Sequence, residues 1–124
     1  MSAHKTRFLA AVDAAKANIQ ELTVPDLLAR RAKGEAFVLI DVREDHEWAA
    51  GRAAGAEHLS KGVLERDVEG RYPDLDSPLV LYCGGGFRSA LSALALQEMG
   101  YRRVWSLAGG WRAWNTANAP TEGT

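Results

Sequence analysis

LVLYCGGGFRSALSALALQEMG, which runs from Leu79 to Gly100, is the stretch that decides the fold. Its opening apolar run, Leu79–Tyr82, predicts a buried strand. Its Ala/Leu-rich second half predicts a helix that ends at Met99, with Gly100 as the C-terminal cap. Cys83, the single cysteine of the chain, lies between them and is followed by three glycines. A cysteine is therefore expected where a strand passes through a glycine loop into a helix.

This glycine loop is a candidate anion-binding site around the sulfur of Cys83. Glycine lets successive backbone N–H groups point inward, and the start of a helix adds further unpaired N–H groups. Arg88 adds a fixed positive charge. All three influences favour the thiolate over the thiol, which makes Cys83 the candidate nucleophile. The predicted loop residues are Gly84, Gly85, Gly86, Phe87, Arg88 and Ser89.

A purely structural role for Cys83 is the alternative, because free cysteines are often small buried hydrophobes. The three adjacent glycines argue against that role. They cost conformational entropy on folding and contribute no side-chain packing, so a stable protein needs another reason to keep them. We therefore favour the reactive cysteine.

Composition and charge exclude several classes of protein. The chain has 124 residues, of which 47% are apolar and 25% charged, the balance of one globular domain. A net charge of −1 gives no support to nucleic-acid binding or to attachment to an acidic membrane. No apolar run reaches the roughly 20 residues that span a bilayer, and the charged N-terminal segment does not resemble a signal peptide. A single cysteine excludes an internal disulfide, so we expect a reducing cytoplasm.

Helix signals and strand signals alternate along the chain, which predicts a mainly parallel sheet with helices on both faces. We expect one domain over 19–120, with an amphipathic helix at 1–18 packed on it and a frayed tail at 121–124. The other helices are expected between Thr23 and Gly34, at 44–50, at 61–69 and after Gly110, the last with Trp111 and Trp114 covering the sheet. The strands are expected at 19–22, 37–40, 56–59, 79–82 and 104–107.

Asp41 and Arg43 follow the strand expected at 37–40 and so lie at the carboxyl edge of the sheet. Ligands bind at this edge in open α/β sheets, so both residues are candidate supporting residues of the site. Two roles stay open for them. They contact the substrate, or they form a buried ion pair that ties the strand end to the next loop.

Four separated blocks resemble the rhodanese family of sulfurtransferases over roughly residues 19–120. The blocks are DVREDHEW from Asp41, GAEH from Gly55, YCGGGFRS from Tyr82 and LAGGWRAW from Leu107. The resemblance implies a central five-stranded sheet and a Cys83 persulfide between two half-reactions. It also implies that the loop from Cys83 to Arg88 surrounds the sulfur. Glu47 and His58 match family positions, and we interpret both as structural.

The resemblance implies a sulfurtransferase of the thiosulfate:cyanide class, which needs no cofactor or metal. Its partners would be a small-molecule sulfur donor and acceptor, with neither nucleic acid nor membrane. Two departures from the family pattern bear on the identity of the sulfur donor. Gly51-Arg52-Ala53 replaces the usual Gly-His-Ile and puts a cation in the neighbourhood of the site. Gly84 and Gly85 lack the Arg or Lys of many thiosulfate-using relatives, which weakens the case for thiosulfate.

Two alternatives to a sulfurtransferase stay open. A cysteine phosphatase or arsenate reductase also uses a thiolate and an arginine, but its loop places five residues between them, whereas four separate Cys83 from Arg88. A persulfide carrier would pass sulfur between protein partners through the same loop. Arg88 itself has two candidate roles: binding the substrate anion, or bracing the loop by donating to its carbonyls. The tight spacing favours bracing.

Overall fold

The computed structural model describes residues 6–123, which form six helices and seven short strands. The helices are α1 Thr6–Lys16, α2 Val24–Ala32, α3 Asp45–Ala50, α4 Lys61–Arg71, α5 Phe87–Glu98 and α6 Gly110–Thr116. The strands are β1 Gln20–Leu22, β2 Val38–Asp41, β3 Arg52–Ala53, β4 Glu57–His58, β5 Leu79–Tyr82, β6 Val104–Leu107 and β7 Thr121–Glu122. None of the helices in the described part of the chain has the length and apolarity that crossing a membrane requires.

The central sheet has five strands in the order β1-β6-β5-β2-β4, and each neighbouring pair is parallel. The predicted α/β fold is therefore confirmed. β5 lies in the middle, and all four of its residues are buried. Its sequence is apolar throughout because a central parallel strand is covered on both faces. The carboxyl ends of β2 and β5 are neighbours, since Asp41 pairs in register with Tyr82.

Side chains of β5 alternate between two separate cores. Leu79, Leu81 and Cys83 belong to one core, whereas Val80 and Tyr82 belong to the other. The first core is closed by α4 and α5, through Leu64, Val68, Ala93 and Leu96. The second is closed by α2 and α6, through Val24, Leu27 and the fully buried Trp114. Because side chains alternate along a strand, the position of Cys83 one residue after Tyr82 places its sulfur on the α5 face.

Helix α1 packs on α5, where Val12 and Ala15 contact Ala90 in a small third core. Its end at Lys16 is earlier than the predicted Asn18, because the chain turns there to enter β1. Residues 1–5, which the predicted helix at 1–18 includes, lie outside the described residues. The packing brings Phe8 against Phe87 at the start of α5, with ring centroids 6.1 Å apart.

The expected frayed tail at 121–124 is wrong for residues 121 and 122. Thr121 and Glu122 form β7, which pairs antiparallel with β3. The preceding Pro120 is held by Trp114, whose indole Nε1–H donates to the Pro120 carbonyl at 2.7 Å. A terminal segment is ordered when its backbone finds partners, and here an unpredicted strand supplies them.

Candidate functional site

The sulfur of Cys83 lies at the amino end of α5, in a residue that is only 1% exposed. Gly86 N–H and Ser89 N–H both donate to Sγ, at 3.2 and 3.3 Å. Gly86 is the N-cap of α5 and Ser89 lies in its first turn, so these donors are among the N–H groups that a helix leaves unpaired. Their dipoles and that of the helix favour negative charge on the sulfur.

A buried pair of hydroxyl groups extends this contact. Ser89 Oγ lies 3.5 Å from Sγ and 2.8 Å from Ser106 Oγ. If Ser106 donates to Ser89, the Ser89 hydroxyl is free to donate to a thiolate. Ser106 was not predicted from the sequence. The signal for it is a polar residue inside the apolar run of β6, at a position that is fully buried.

The three loop glycines differ in whether a side chain would fit at their positions. Gly86 has φ +97°, and a Cβ there would lie 3.1 Å from the backbone nitrogen of Gly109. A Cβ on Gly84 would lie 3.0 Å from Nη2 of Arg88. A Cβ on Gly85 would lie 3.8 Å from Nη1 of Arg112. Gly86 is therefore required by its backbone angle and by its packing, whereas a Cβ on Gly85 would make only an ordinary contact.

The start of α6 supports the loop from behind. Trp111 N–H donates to the Cys83 carbonyl at 2.7 Å, and Arg112 N–H donates to the Gly84 carbonyl at 3.0 Å. Gly110 makes this approach possible, because a Cβ there would overlap the Cys83 carbonyl oxygen. The LAGGW block thus holds the backbone of the cysteine loop in place.

Arg88 binds Glu47 of α3. Its Nη1 and Nη2 donate to the two carboxylate oxygens of Glu47, at 2.6 and 3.1 Å. The expectation that Arg88 donates to loop carbonyls is therefore wrong, because Glu47 takes up its donors across a separation of 41 residues. The bonds from Arg88 lower the pKa of Glu47 to about 2. They also raise the pKa of Arg88.

Cys83 lies in a pocket of about 500 Å³ at the carboxyl edge of the sheet. Its described lining consists of Phe8, Glu47, Cys83, Gly84, Gly85, Phe87, Arg88 and Arg112. Phe8 and Arg112 were not predicted as site residues. Each reaches the pocket from a different end of the chain, so no local pattern could have identified it. One feature of the sequence could have indicated Arg112: it is a cation just after the glycine pair at the start of α6.

Asp41, Arg43 and Tyr82 form a closed cluster on the opposite face of the sheet, which we call the Asp41 cluster. Arg43 donates to Asp41 with a shortest distance of 2.7 Å, and Tyr82 Oη donates to Asp41 Oδ2 at 2.5 Å. Arg43 also donates to the Gly51 carbonyl at 2.7 Å. Burial, with the bond to Asp41, raises the pKa of Tyr82. Of the two roles left open for Asp41 and Arg43, these contacts favour the architectural ion pair.

Two other candidate residues lie outside the pocket lining. The His58 ring stacks on Trp48 with centroids 4.8 Å apart, and its Nε2 lies 2.9 Å from the Arg43 carbonyl, which is a structural arrangement. The Arg52 guanidinium lies over the Trp48 ring, 4.6 Å from its centroid. The cation expected near the site at Arg52 is therefore directed to Trp48 instead.

One group of side chains has the ligand types of a metal site. Glu44, His46 and Glu47 bring one ligand atom each within 4.8 Å of one another. Glu47 already binds Arg88 through both oxygens, and Glu44 and His46 are exposed. A carboxylate neutralised by a guanidinium is a poor metal ligand, so we assign no metal to this group.

Comparison with known proteins places this geometry in a family. The chain is 36% identical over 88 residues to the thiosulfate sulfurtransferase GlpE of Actinobacillus succinogenes, covering 71% of this chain and 78% of that protein. It is 32% identical over 91 residues to GlpE of Stutzerimonas stutzeri, covering 73% and 82%.

Solved structures show the same fold. A Rhodopseudomonas palustris protein of unknown function, described as a possible tyrosine phosphatase, superposes with a TM-score of 0.86 at 32% identity, covering 98% of this chain and 99% of that one. The polysulfide-sulfur transferase homodimer of Wolinella succinogenes gives 0.79 at 30% identity, covering 94% and 87%. The Rhodanese-like domain model matches residues 23–117. This chain therefore belongs to the rhodanese-like domain family.

Proposed function

We propose that the protein is a single-domain sulfurtransferase that moves sulfane sulfur through a persulfide on Cys83. The main support is the position of the Cys83 sulfur, which accepts hydrogen bonds from Gly86 N–H and Ser89 N–H at the floor of an open pocket. The similarity to thiosulfate sulfurtransferases supports the same activity. The mechanism is a double displacement.

In the first half-reaction the Cys83 thiolate attacks the outer sulfur of an anionic donor. A new S–S bond forms at Cys83, and the S–S bond of the donor breaks with its electron pair leaving on the inner group, which is sulfite when the donor is thiosulfate. The N–H groups of the loop stabilise the negative charge that moves to the transferred sulfur. Arg88, braced by Glu47, keeps the loop in shape.

In the second half-reaction a thiophilic acceptor attacks the outer sulfur of the persulfide. With cyanide as acceptor, a C–S bond forms and thiocyanate leaves, while the electron pair of the S–S bond returns to Cys83 as thiolate. No proton has to be transferred by a side chain, so the pocket needs no general base. This fits a structure in which His58 lies outside the pocket lining.

The cell compartment follows from the same chemistry. A lone cysteine that works as a thiolate and a persulfide needs a reducing environment to stay free of mixed disulfides. We therefore propose a cytoplasmic location. Small sulfur donors and acceptors are the proposed partners, and a protein donor or acceptor is the alternative.

A phosphatase is the second candidate, because one similar structure is described as a possible tyrosine phosphatase. Two observations disfavour it. The loop has four residues between Cys83 and Arg88. Arg88 also directs its donors to Glu47, whereas a phosphatase needs them on the phosphate oxygens. Hydrolysis of an aryl phosphate above the rate of Cys83→Ser would favour the phosphatase.

A carrier module is the third candidate, since the same loop could receive sulfur from one protein and deliver it to another. Repeated turnover separates the two roles. An enzyme converts many equivalents of thiosulfate and cyanide to thiocyanate, whereas a carrier loads once and turns over slowly with small molecules.

Intact mass spectrometry is the decisive experiment. The protein is incubated with thiosulfate, desalted and weighed, then treated with cyanide and weighed again. We expect a gain of one sulfur atom on the wild type that cyanide removes, and no gain on Cys83→Ser. A wild type that never gains sulfur from any donor would overturn the proposed function.

A further inference from the structure

One guanidinium in the Cys83 pocket, that of Arg112, has no carboxylate partner among the described residues. Two guanidinium groups and one carboxylate are present among the described residues that line it, those of Arg88, Arg112 and Glu47. Arg88 and Glu47 neutralise each other through two hydrogen bonds. The guanidinium of Arg112 forms neither a hydrogen bond nor an ion pair with any residue in the described part of the chain. The Arg112 guanidinium is therefore available to an anionic ligand, beside a Cys83 thiolate that backbone N–H groups stabilise.

Arg112 is placed to contact a molecule that approaches Cys83. Its own N–H is bonded to the Gly84 carbonyl, so its backbone is fixed against the cysteine loop. Its Nη1 lies 3.8 Å from the point where a Cβ on Gly85 would be, which puts the guanidinium over the open glycine. The residue is exposed, so a ligand can reach it. The cation that the loop lacks at Gly84 and Gly85 is thus supplied from α6.

The other wall of the pocket is aromatic. Phe8 of α1 and Phe87 of α5 both line it, and their rings meet edge to face at a centroid distance of 6.1 Å. Lys16 lies over Phe87 at 5.3 Å but is paired with Glu21 at 4.0 Å. The helix that supplies Phe8 lies outside residues 23–117, to which the family model matches, whereas Phe87 lies inside them.

We infer that the pocket takes a singly charged organic sulfur donor, whose anionic end binds Arg112 and whose organic group packs on Phe8 and Phe87. This inference rests on the proposed sulfurtransferase function. Inorganic thiosulfate is a less suitable ligand, because it brings two negative charges to one free cation and has no organic group for the aromatic wall. A thiosulfonate, in which a sulfonyl group carries both the organic group and the terminal sulfur, has both features.

The transfer from such a donor balances without a further reactant. The Cys83 thiolate attacks the terminal sulfur of the thiosulfonate anion and forms the Cys83 persulfide anion. The S–S bond of the donor breaks, and its electron pair leaves on the sulfonyl sulfur, so the second product is a sulfinate anion. Arg112 faces the sulfonyl oxygens, on which this charge develops.

The test compares benzenethiosulfonate with thiosulfate as donor, with cyanide as acceptor, and reports kcat/KM for each relative to its reaction rate with free cysteine. We expect the wild type to prefer benzenethiosulfonate by about tenfold or more, the effect of one charged contact. Arg112→Gln should lower kcat/KM for benzenethiosulfonate about tenfold, chiefly through KM, and Arg112→Lys should recover part of it. Arg103→Gln, which removes the same charge before β6, is the matched control and should behave as wild type.

Phe8→Ala tests the aromatic wall. It should lower kcat/KM for benzenethiosulfonate about fivefold and leave that for thiosulfate unchanged, since only the first donor has a ring to pack. Leu9→Ala, on the same helix but outside the pocket lining, is its control. Melting temperatures of all variants show whether any of them is merely misfolded, and Phe8→Leu serves if Phe8→Ala unfolds.

The outcomes separate this inference from the proposed function. Transfer from both donors with no preference, or a kcat/KM for benzenethiosulfonate that Arg112→Gln leaves unchanged, would overturn the inference and leave the sulfurtransferase standing. Failure of the wild type to gain sulfur from either donor would overturn both.

Discussion

Two buried polar clusters lie at the carboxyl ends of the neighbouring strands β2 and β5, on opposite faces of the sheet. The Asp41 cluster is closed, because both oxygens of Asp41 accept hydrogen bonds from Arg43 or Tyr82. The sulfur of Cys83 is held by two N–H groups, yet it faces a pocket of about 500 Å³. Both clusters stabilise a negative charge, but only one leaves room for another molecule.

The difference shows what separates an architectural cluster from a reactive one. In the Asp41 cluster an opposite charge lies within 2.7 Å, so the carboxylate is neutralised, and Arg43 also donates to the Gly51 carbonyl in the loop before β3. At Cys83 the stabilising groups are backbone dipoles, and the nearby guanidinium of Arg88 is directed to Glu47. Dipoles favour an anion without saturating it, which leaves the sulfur able to react.

Among substitutions that distinguish the two clusters, Cys83→Ser should have the largest effect. An alcohol stays protonated at neutral pH and cannot replace the thiolate, so sulfur transfer should fall to background. The fold should be retained, because serine is of similar size and keeps the same loop donors. Thiocyanate formation and urea unfolding measure the two effects. Residual turnover above a few per cent of wild type, as an order of magnitude, would remove Cys83 from the role of nucleophile.

Gly86→Ala tests the loop geometry that holds the sulfur. A side chain at φ +97° that lies 3.1 Å from the Gly109 nitrogen strains the backbone that donates to Sγ. We expect a loss of about 1–3 kcal/mol in stability and at least tenfold in kcat/KM. Gly85→Ala is the comparison for stability, since its Cβ would make only an ordinary contact at 3.8 Å with Arg112 Nη1. Equal losses in the two variants would mean that the donors are not set by the angle at Gly86.

Asp41→Asn tests the closed cluster. It leaves the 3%-exposed Arg43 without a neutralising charge, which should cost about 3 kcal/mol of unfolding free energy. Sulfur transfer per folded molecule should stay within about threefold of wild type, because the pocket lies on the other face. Urea unfolding and active-site titration give the two numbers. A stable but inactive variant would place Asp41 in the reactive site instead.

Glu47→Gln tests the brace between α3 and the loop, and its effect should depend on pH. The pKa of Glu47 is lowered from 4.5 to about 2 in the folded protein, so its contribution is fully present above pH 5 and is lost as the pH falls towards 2. Because the two side chains are 26% and 35% exposed, we expect only about 1 kcal/mol near pH 7. The stability difference between wild type and variant should shrink in acid. A constant difference would contradict the ion pair as its source.

Ser106→Ala should have the mildest effect. Ser106 contacts the sulfur only through the Ser89 hydroxyl, at 2.8 Å and then 3.5 Å. Its loss should slow alkylation of Cys83 by iodoacetamide about two- to threefold at neutral pH, which corresponds to part of one hydrogen bond. Ser92→Ala on α5, whose hydroxyl donates to the Arg88 carbonyl, is a control that leaves the sulfur contacts in place. Faster alkylation would show that the hydroxyl pair does not stabilise the thiolate.

Local signals explain most of what the sequence predicted. The run Leu79–Tyr82 is apolar throughout because it forms the central strand, and its predicted bounds agree with β5. Thr23 caps α2 by accepting from Asp26 N–H at 3.2 Å, as the spacing of these residues indicates. β2 begins and ends one residue later than predicted, and β4 is one residue shorter at each end, because paired register, and not composition, sets where a strand ends.

By itself the sequence determined the α/β fold, the position of Cys83 between a strand and a helix, and the glycines that let backbone N–H groups reach its sulfur. These features depend on neighbours along the chain, because periodicity and backbone freedom are properties of a few consecutive residues. Only the tertiary structure decided that Glu47 takes up the donors of Arg88, and that Phe8 and Arg112 line the pocket. These contacts join residues far apart in the chain, so they depend on the packing of α1, α3 and α6 around the same loop.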